Sequence, residues 1–206
     1  MGAAHIPPGV DPYSTAKEIV HVCGGERPAM FLSSGALADT FAEFGDVVRL
    51  AIFAHMHMDE VRLLEPAAGG ENRGAVAVKM VASISPVLGN NPSFTVAQVD
   101  AATAELIDYR VFAASNQTGM NTVWSEEYDY AQAYGEPSFS ASSLGNLIRR
   151  FTSDPKARTK ASQSFLRSYF VGDRSAVLKP FWAEYVCTLE NRTASSYRAC
   201  ACRKGL

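Results

Sequence analysis

The chain has 206 residues, 47% of them apolar and 19% charged, with a formal net charge of −2. This length and balance are typical of a globular domain with a substantial core rather than of a disordered protein. The small charge and the lack of a long basic run argue against duplex nucleic acid as a partner, because that affinity rests on many Lys/Arg–phosphate contacts. No apolar stretch reaches the roughly 18 residues of a membrane span, and the N-terminal residues show no signal peptide.

The hydrophobic pattern of the first half predicts an α/β organisation. We expect two helices, at 15–22 and 35–44, and three strands, at 47–53, 60–65 and 75–84. A Gly-rich turn is expected at 67–74. Alternating residues at 94–99 and 106–112 predict a hairpin.

The pattern changes after Ala114 and predicts helices alone. We expect a helix at 126–134, one from Ser140 or Ser142 through 151, one from 154–155 to about 170, and a last one from 173 or 175 through Cys187, with Pro180 in its first turn. We therefore divide the chain into an α/β part, 1–114, and an all-helical C-terminal extension, 115–206.

Three of the four cysteines lie near the C-terminus: Cys187, Cys200 and Cys202. A Cys187–Cys200 or Cys187–Cys202 disulfide would join the last helix to the tail, which suits an oxidising compartment. The alternative is free thiols in a cytosolic protein.

Three of the four histidines occupy two short segments. His5 begins His-Ile-Pro-Pro-Gly, and His55 and His57 lie in Ala-His-Met-His-Met-Asp-Glu, directly after the strand predicted at 47–53. Alternate residues of an extended turn point the same way, and imidazole is the commonest side-chain ligand for zinc and similar metals. His5, His55 and His57 are therefore the candidate metal ligands. His21 lies outside both motifs and is expected to be a surface or packing residue.

The two histidine motifs, in this order, resemble those of the calcineurin-like metallophosphoesterases. The chain looks most like their acid sphingomyelinase-like branch. Further similar segments run through almost the whole chain: Ser83-Ile84-Ser85-Pro86, Gly89-Asn90-Asn91-Pro92-Ser93-Phe94, Glu127-Tyr128, Ala133-Tyr134-Gly135 and the cysteine-bearing tail from Tyr185 to Cys202.

This resemblance implies the C-terminal half of a β-sandwich with flanking helices, and a site for two divalent metals. Zinc is favoured, with manganese or iron as alternatives. His5 and His55 would bind one metal and His57 the other, and a bridging hydroxide would attack phosphorus. Asp59 or Glu60 could orient a ligand histidine, although Glu60 is expected to be a solvated strand residue.

Two departures from the family pattern stand out. Ala54 replaces the glycine that usually precedes His-x-His, and would be strained by about 1 kcal/mol if that position needs a positive φ. The family's other ligands come from Asp-x-His, Gly-Asp and Gly-Asn-His motifs, none of which precedes His5. The chain is therefore expected to be incomplete as a catalyst. A natural truncation, a gene fragment and one piece of a split protein, completed by a partner chain, all remain open.

The expected function is metal-dependent hydrolysis of a phosphodiester or phosphomonoester, on a small-molecule or lipid substrate, in a secreted or periplasmic protein. The alternative is a non-catalytic remnant or interaction domain that binds at most one metal weakly. By the resemblance, the loop at 85–88 would reach the pocket rim. It offers no aromatic or cationic group to recognise choline, which favours a generic phosphoester over sphingomyelin. Two asparagines, Asn90 and Asn91, are expected to form a turn, with a role at the rim as the alternative. Four aromatic residues are expected to form a packing contact between helices and sheet, with a lipid-binding surface as the alternative: Trp124, Tyr128, Tyr130 and Tyr134.

Overall fold

A computed structural model describes residues 1–17, 21–66, 74–172 and 175–203 of the chain. These residues form a mixed α/β structure with two β-sheets, as the composition and pattern predicted. Most of the turn predicted at 67–74, and part of the helix predicted at 15–22, fall outside the described residues. Within the described ranges, none of the helices combines the length and the apolar character that a membrane span requires.

The first sheet has four strands in the order β1-β2-β4-β3. Their bounds are β1 Gly2–Ala3, β2 Leu50–Phe53, β3 Glu60–Leu64 and β4 Val76–Met80. β1, β2 and β4 run parallel to one another, whereas β3 is antiparallel to β4. Every side chain of β3 and β4 is buried, as expected where both faces of a sheet are covered. Because β1, β2 and β4 are parallel, their carboxyl ends lie at the same edge of the sheet.

The second sheet is an antiparallel meander of β5 Ser93–Val99, β6 Leu106–Ala114 and β7 Trp124–Asp129. It confirms the predicted hairpin but corrects the helix predicted at 126–134. The first part of that segment is strand, because it pairs with β6 and turns Tyr128 inward against Tyr109, with ring centroids 5.9 Å apart. Asp129 then caps the short helix that follows, by accepting from the Gln132 backbone N–H. The part of the chain beyond Ala114 is therefore not all-helical, although the predicted domain boundary itself stays a prediction.

The helices lie before the second strand and after the second sheet. Their bounds are α1 Pro12–Lys17, α2 Ala36–Glu43, α3 Tyr130–Tyr134, α4 Ala141–Thr152, α5 Lys160–Tyr169, α6 Ser175–Leu178, α7 Trp182–Thr188 and α8 Ala194–Arg203. Short 3-10 turns occur at Val22–Gly24 and Lys179–Phe181. The predictions of α2 and α4 are confirmed, and Ser140 caps α4 by accepting from the Ser143 N–H.

Two further helix predictions in the second half need correction, and one helix was not predicted at all. α5 begins at Lys160 rather than near Asp154, because the Asp154 carboxylate accepts from the N–H groups of Arg158 and Thr159 and so closes a turn ahead of the helix. The last predicted helix is interrupted by a 3-10 turn that contains Pro180, which lacks an N–H group. α8 was not predicted, since its sequence has little apolar periodicity.

Buried aromatic side chains join the second sheet to α3 and the helices that follow. Tyr128, Tyr130 and Tyr134 are all buried, and Tyr130 packs against Tyr109 and Phe139 at ring-centroid distances of 5.1 and 5.2 Å. The predicted packing contact is thus confirmed for the three tyrosines. Trp124, the fourth predicted member, instead lies 43% exposed, against Phe94.

Two disulfides close the C-terminal region. Cys187–Cys200 joins α7 to α8 and confirms one of the two predicted pairings. Cys23–Cys202 joins the 3-10 turn at Val22–Gly24 to α8, across 179 residues of sequence, and was not predicted. Both bonds hold the last turn of α8, through Cys200 and Cys202.

Candidate metal site at the carboxyl edge of the parallel strands

The three candidate ligands follow two neighbouring parallel strands. His5 follows β1 after Ala4, and His55 and His57 lie on the turn that follows β2 after Ala54. The two strand ends are joined by a hydrogen bond from the Ala54 N–H to the His5 carbonyl, at 3.1 Å. Parallel pairing therefore brings residues fifty positions apart to one exposed edge, which we call the histidine edge.

The rings of His5 and His55 meet at this edge. Nε2 of His5 and Nδ1 of His55 are 3.4 Å apart, the ring planes are nearly perpendicular, and both side chains are exposed. Two imidazole nitrogens bound to the same tetrahedral zinc ion, each at 2.0–2.1 Å, lie about 3.3 Å apart. The spacing of this pair therefore fits two ligands of one metal ion.

The ring of His57 faces the loop that follows β4. Its Nδ1 lies 3.3 Å from the carbonyl oxygen of Ser85. Since a carbonyl only accepts, this contact is a hydrogen bond in the tautomer that carries the proton on Nδ1 and the lone pair on Nε2. This is the arrangement found in many metal-binding histidines, where a backbone carbonyl holds the ring nitrogen opposite the metal. Across the described ranges, no cluster of three or more His, Cys, Asp or Glu side chains is placed to hold a metal, so the assignment of the three histidines stays a prediction.

The turn that carries His55 and His57 has a strained backbone. His55 has a φ of 76° and a hydrogen bond of 3.0 Å from the Met56 N–H to the Ala54 carbonyl, which are the marks of a γ-turn with positive φ. His57 has a φ of 62°. Such values cost L-residues on the order of 1–3 kcal/mol each and persist where the surroundings over-determine them. Ala54, which replaces the glycine usual in the family, does not have a positive φ and is not strained in this way. The positive φ values belong to His55 and His57.

Buried methionines and a buried ion pair hold this turn in place. Met56 and Met58 are only 6% and 3% exposed. Asp59 is also buried and forms an ion pair with Lys79 of β4, rather than orienting a histidine. Burial raises the pKa of Asp59 and lowers that of Lys79, and their mutual attraction opposes both shifts.

A second buried pair supports the segment that carries His5. Glu60 is fully buried and pairs with Arg62 at 2.5 Å, so its expected role as a solvated residue was wrong. Nη1 of Arg62 donates to the Pro8 carbonyl at 3.2 Å, and its guanidinium lies 5.0 Å from the centre of the Phe31 ring. Gly9 has a φ of 103°, and a Cβ there would lie 2.9 Å from Nη1 of Arg62. The backbone of this segment is thus fitted to the arginine.

The sequence interpretation missed Lys79 and Arg62 as supports of the site. A signal was present for Lys79, which is the one charged residue in a strand that is otherwise apolar, whereas the strand of Arg62 also contains Glu60. Cations are almost never fully buried unless they are paired, so a charged residue in such a strand indicates a buried partner.

A cavity of about 710 Å³ lies beside the turn that carries His55 and His57. Met56 and Met58 line it from the turn, and Leu88 lines it from the loop predicted to reach a pocket rim. Its other walls are largely apolar and aromatic, among them Tyr169 and Phe181. The cavity therefore supplies aromatic surface near the site that the loop sequence alone did not indicate.

Comparison with known proteins shows that this chain is similar in sequence to phosphodiesterases. No protein-family profile matches the chain. Curated proteins with significant similarity are named as phosphodiesterases, one of them as an acid sphingomyelinase-like phosphodiesterase. The resemblance that the two histidine motifs predicted is thus confirmed.

Three relatives illustrate the similarity, each 26% identical to this chain. The cyclic GMP-AMP phosphodiesterase SMPDL3A of Bos taurus matches over 96% of the chain and 43% of its own length. The acid sphingomyelinase-like phosphodiesterase 3b of Homo sapiens matches over 77% of the chain and 36% of its own length. The sphingomyelinase phosphodiesterase D of Dictyostelium discoideum matches over 72% of the chain and 33% of its own length. The chain thus spans less than half the length of these curated relatives.

Proposed function

We propose that this chain carries the imidazole ligands of a metal-dependent phosphodiesterase site. The observation that carries the proposal is the 3.4 Å spacing between Nε2 of His5 and Nδ1 of His55, which fits one tetrahedral metal ion. The phosphodiesterase names of the relatives support the reaction class. The matched region covers 43% or less of the length of each relative. Phosphodiesterase activity of the whole protein is therefore proposed here rather than shown.

In this proposal His5 and His55 would hold one divalent metal, and Nε2 of His57 would hold a second. Bound metals of this kind, with zinc favoured, supply a hydroxide nucleophile at neutral pH and stabilise the charge on phosphoryl oxygens. The chain's own contribution is to fix the rings. The γ-turn at His55 directs one ring toward His5, and the Ser85 carbonyl sets the tautomer of His57.

The two buried cations near the site, Lys79 and Arg62, are already paired with carboxylates. Lys79 and Arg62 are buried and held by Asp59 and Glu60, so neither is presented to a phosphate group. Neutralisation of the phosphoester charge is therefore left to the metals.

We further propose that the two sheets form the C-terminal part of a metallophosphoesterase β-sandwich. Two sheets, with three parallel strand ends at the histidine edge, support this view. The two disulfides support a secreted or periplasmic location, because such bonds persist in oxidising compartments.

The substrate is proposed to be a generic phosphodiester, but one observation favours a lipid phosphodiester as the second candidate. The cavity beside the turn has an apolar and aromatic lining that would suit an acyl chain. Val177 lies at this cavity and is 48% exposed. Val177→Glu should lower hydrolysis of a short-chain phosphocholine lipid and leave hydrolysis of a dinucleotide unchanged. An equal effect on both substrates would remove the reason for the lipid candidate.

The first test of the proposal is metal binding. The chain is dialysed exhaustively, loaded with Zn²⁺, and compared with His55→Ala and with His21→Ala, an exposed histidine outside both motifs. We expect His55→Ala to weaken binding at least about tenfold, since even indirect contacts to a ligand are worth 10- to 100-fold, and His21→Ala to have no effect. Equal binding by all three proteins would refute the assignment.

The second test is turnover. Hydrolysis of bis(p-nitrophenyl) phosphate is measured with Zn²⁺ or Mn²⁺, and His57→Ala is expected to abolish any metal-dependent rate. Unchanged turnover would exclude His57 from the site. Zinc binding of less than one ion per chain, without turnover, would support the alternative of a non-catalytic remnant or interaction domain.

A further inference from the structure

The loop after β4 is organised by one buried amide. Asn90 is fully buried, and its Nδ2 lies 3.1 to 3.2 Å from three backbone carbonyl oxygens, those of Ser83, Ser85 and Asn91. Three acceptors around one atom fix the orientation of the amide, because the reversed amide would place its oxygen against all three carbonyls. Asn90 is therefore the turn former that was expected, but it acts through donors.

The same loop is joined to His57 twice. The Ser83 N–H donates to the His57 carbonyl at 3.2 Å, and the Ser85 carbonyl accepts from Nδ1 of the His57 ring. Asn90 donates to the carbonyls of both serines. The Ser85 oxygen thus has two donors, which is the number its lone pairs accept. Through these contacts Asn90 sets where the acceptor for the His57 ring lies.

The contribution of Asn90 to the loop comes from its amide NH₂ group alone. Its other amide atom, Oδ1, is buried with no hydrogen-bond partner among the described residues. A buried acceptor left without a partner costs about 1–3 kcal/mol. The donors of Asn90 therefore serve the loop at the expense of an unsatisfied oxygen.

We propose that Asn90 is a positioning residue that acts on His57 through the Ser85 carbonyl, so that the ring keeps its proton on Nδ1 and presents Nε2 to a divalent metal. The ligand role of Nε2 rests on the proposed function, whereas the tautomer does not. Asn90 itself touches neither metal nor substrate in this scheme.

The test begins with the unsubstituted protein. Long-range ¹⁵N–¹H correlation spectra, recorded where the imidazoles are neutral, identify which nitrogen of His57 carries the proton. We expect Nδ1–H, the form that a free histidine side chain disfavours. Finding Nε2–H would overturn the proposal without any substitution, so the outcome does not depend on a variant that folds.

Asn90→Asp then replaces the donor amide by an isosteric carboxylate that repels the Ser83 and Ser85 carbonyls. We expect a mixture of His57 tautomers and a Zn²⁺ affinity 10- to 100-fold lower. Asn91→Asp adds the same charge to the same loop and should change neither the tautomer nor, by more than about threefold, the affinity. Melting temperatures report whether each variant is folded.

The outcomes separate this inference from the proposed function. A wild-type His57 with Nδ1–H that is lost in Asn90→Asp supports the role of Asn90 even if the chain binds no zinc, a result that would refute the metal site alone. Zinc binding that is equally strong in the wild type and in Asn90→Asp, with an unchanged tautomer, would refute the role of Asn90 and leave the metal site intact.

Discussion

The histidine edge and the disulfide-linked corner around α8 are fixed in different ways. At the edge, non-covalent contacts hold His55 and His57 at positive φ: two buried methionines, the Asp59–Lys79 pair and the hydrogen bonds of the loop after β4. At the corner, the covalent bonds Cys23–Cys202 and Cys187–Cys200 hold a helix of low amphipathicity. The two disulfides stabilise the corner. At the edge, the positive φ values of His55 and His57 lower the stability but place the two rings. This difference is what a binding site on a stable scaffold requires.

The largest expected effect comes from breaking the longer disulfide. In the chain-entropy account, closing a loop of 179 residues stabilises by about 5 kcal/mol and closing one of 13 residues by about 3 kcal/mol. We therefore expect the double variant Cys23→Ala/Cys202→Ala to lose more stability than Cys187→Ala/Cys200→Ala, as measured by urea unfolding. Equal losses would mean that the corner depends on local packing rather than on chain closure.

The next effect tests the support of the edge. Lys79→Met leaves the buried Asp59 carboxylate without its cation, and we expect a loss of about 3–5 kcal/mol in urea unfolding. The control is Arg110→Met, which removes a pair with Glu126 whose side chains are 53% and 41% exposed, and should cost less than about 1 kcal/mol. Adding Asp59→Asn to Lys79→Met should restore much of the loss; a double variant as unstable as Lys79→Met would contradict the charge argument.

A smaller effect concerns a single carboxylate in the helical half. Burial by itself raises the pKa of Asp154, but the N–H groups of Arg158 and Thr159, from which its carboxylate accepts, lower it to about 2. Asp154→Ala should cost about 1–2 kcal/mol at pH 7. Because the folded-state pKa is depressed, this contribution is present above pH 3.8 and is lost as the pH falls through about 2. Unfolding at pH 7, 4 and 2.5 checks this, and a difference from the wild type that persists unchanged at pH 2.5 would count against it.

The smallest expected effect has the opposite sign. His55→Gly removes the strain of a φ of 76°, and after the entropy cost of glycine we expect a gain of about 1 kcal/mol, together with weaker zinc binding. His5→Gly is the matched control, since His5 does not have a positive φ, and it should lose about 0.5–1 kcal/mol. A destabilised His55→Gly would show that the backbone of His55 is not strained.

The features predicted correctly from sequence are those set by local pattern or by motif. Apolar runs predicted β2 and β4, alternation predicted β3 and the β5–β6 hairpin, and Ser140 was one of the two residues predicted to start α4. The resemblance also implied that His5 and His55 bind one metal, and the structure places their ring nitrogens 3.4 Å apart, although no strand was predicted ahead of His5. The positive φ of both turn histidines could not be predicted, since no glycine marks it.

What the sequence did not predict depends on distant partners. β7 contains the helix-favouring pair Glu126-Glu127, and only its pairing with β6 makes it a strand. Cys23 and Cys202 are brought to a Cα separation of 5.5 Å by packing of the whole chain, which no local spacing reveals. The same holds for Asp59, directly ahead of β3, and Lys79 of β4, which the pairing of these two strands brings together.

The Cys23–Cys202 bond also makes most of the chain a closed ring. Any single cut between these residues opens the ring without releasing a fragment, because the two pieces stay joined by the bond. Met120, 73% exposed in the connection between β6 and β7, lies in a segment where a protease would find such a site. A molecule nicked there would still migrate as one species without reductant, and would keep the histidine edge and α8 on one covalent unit.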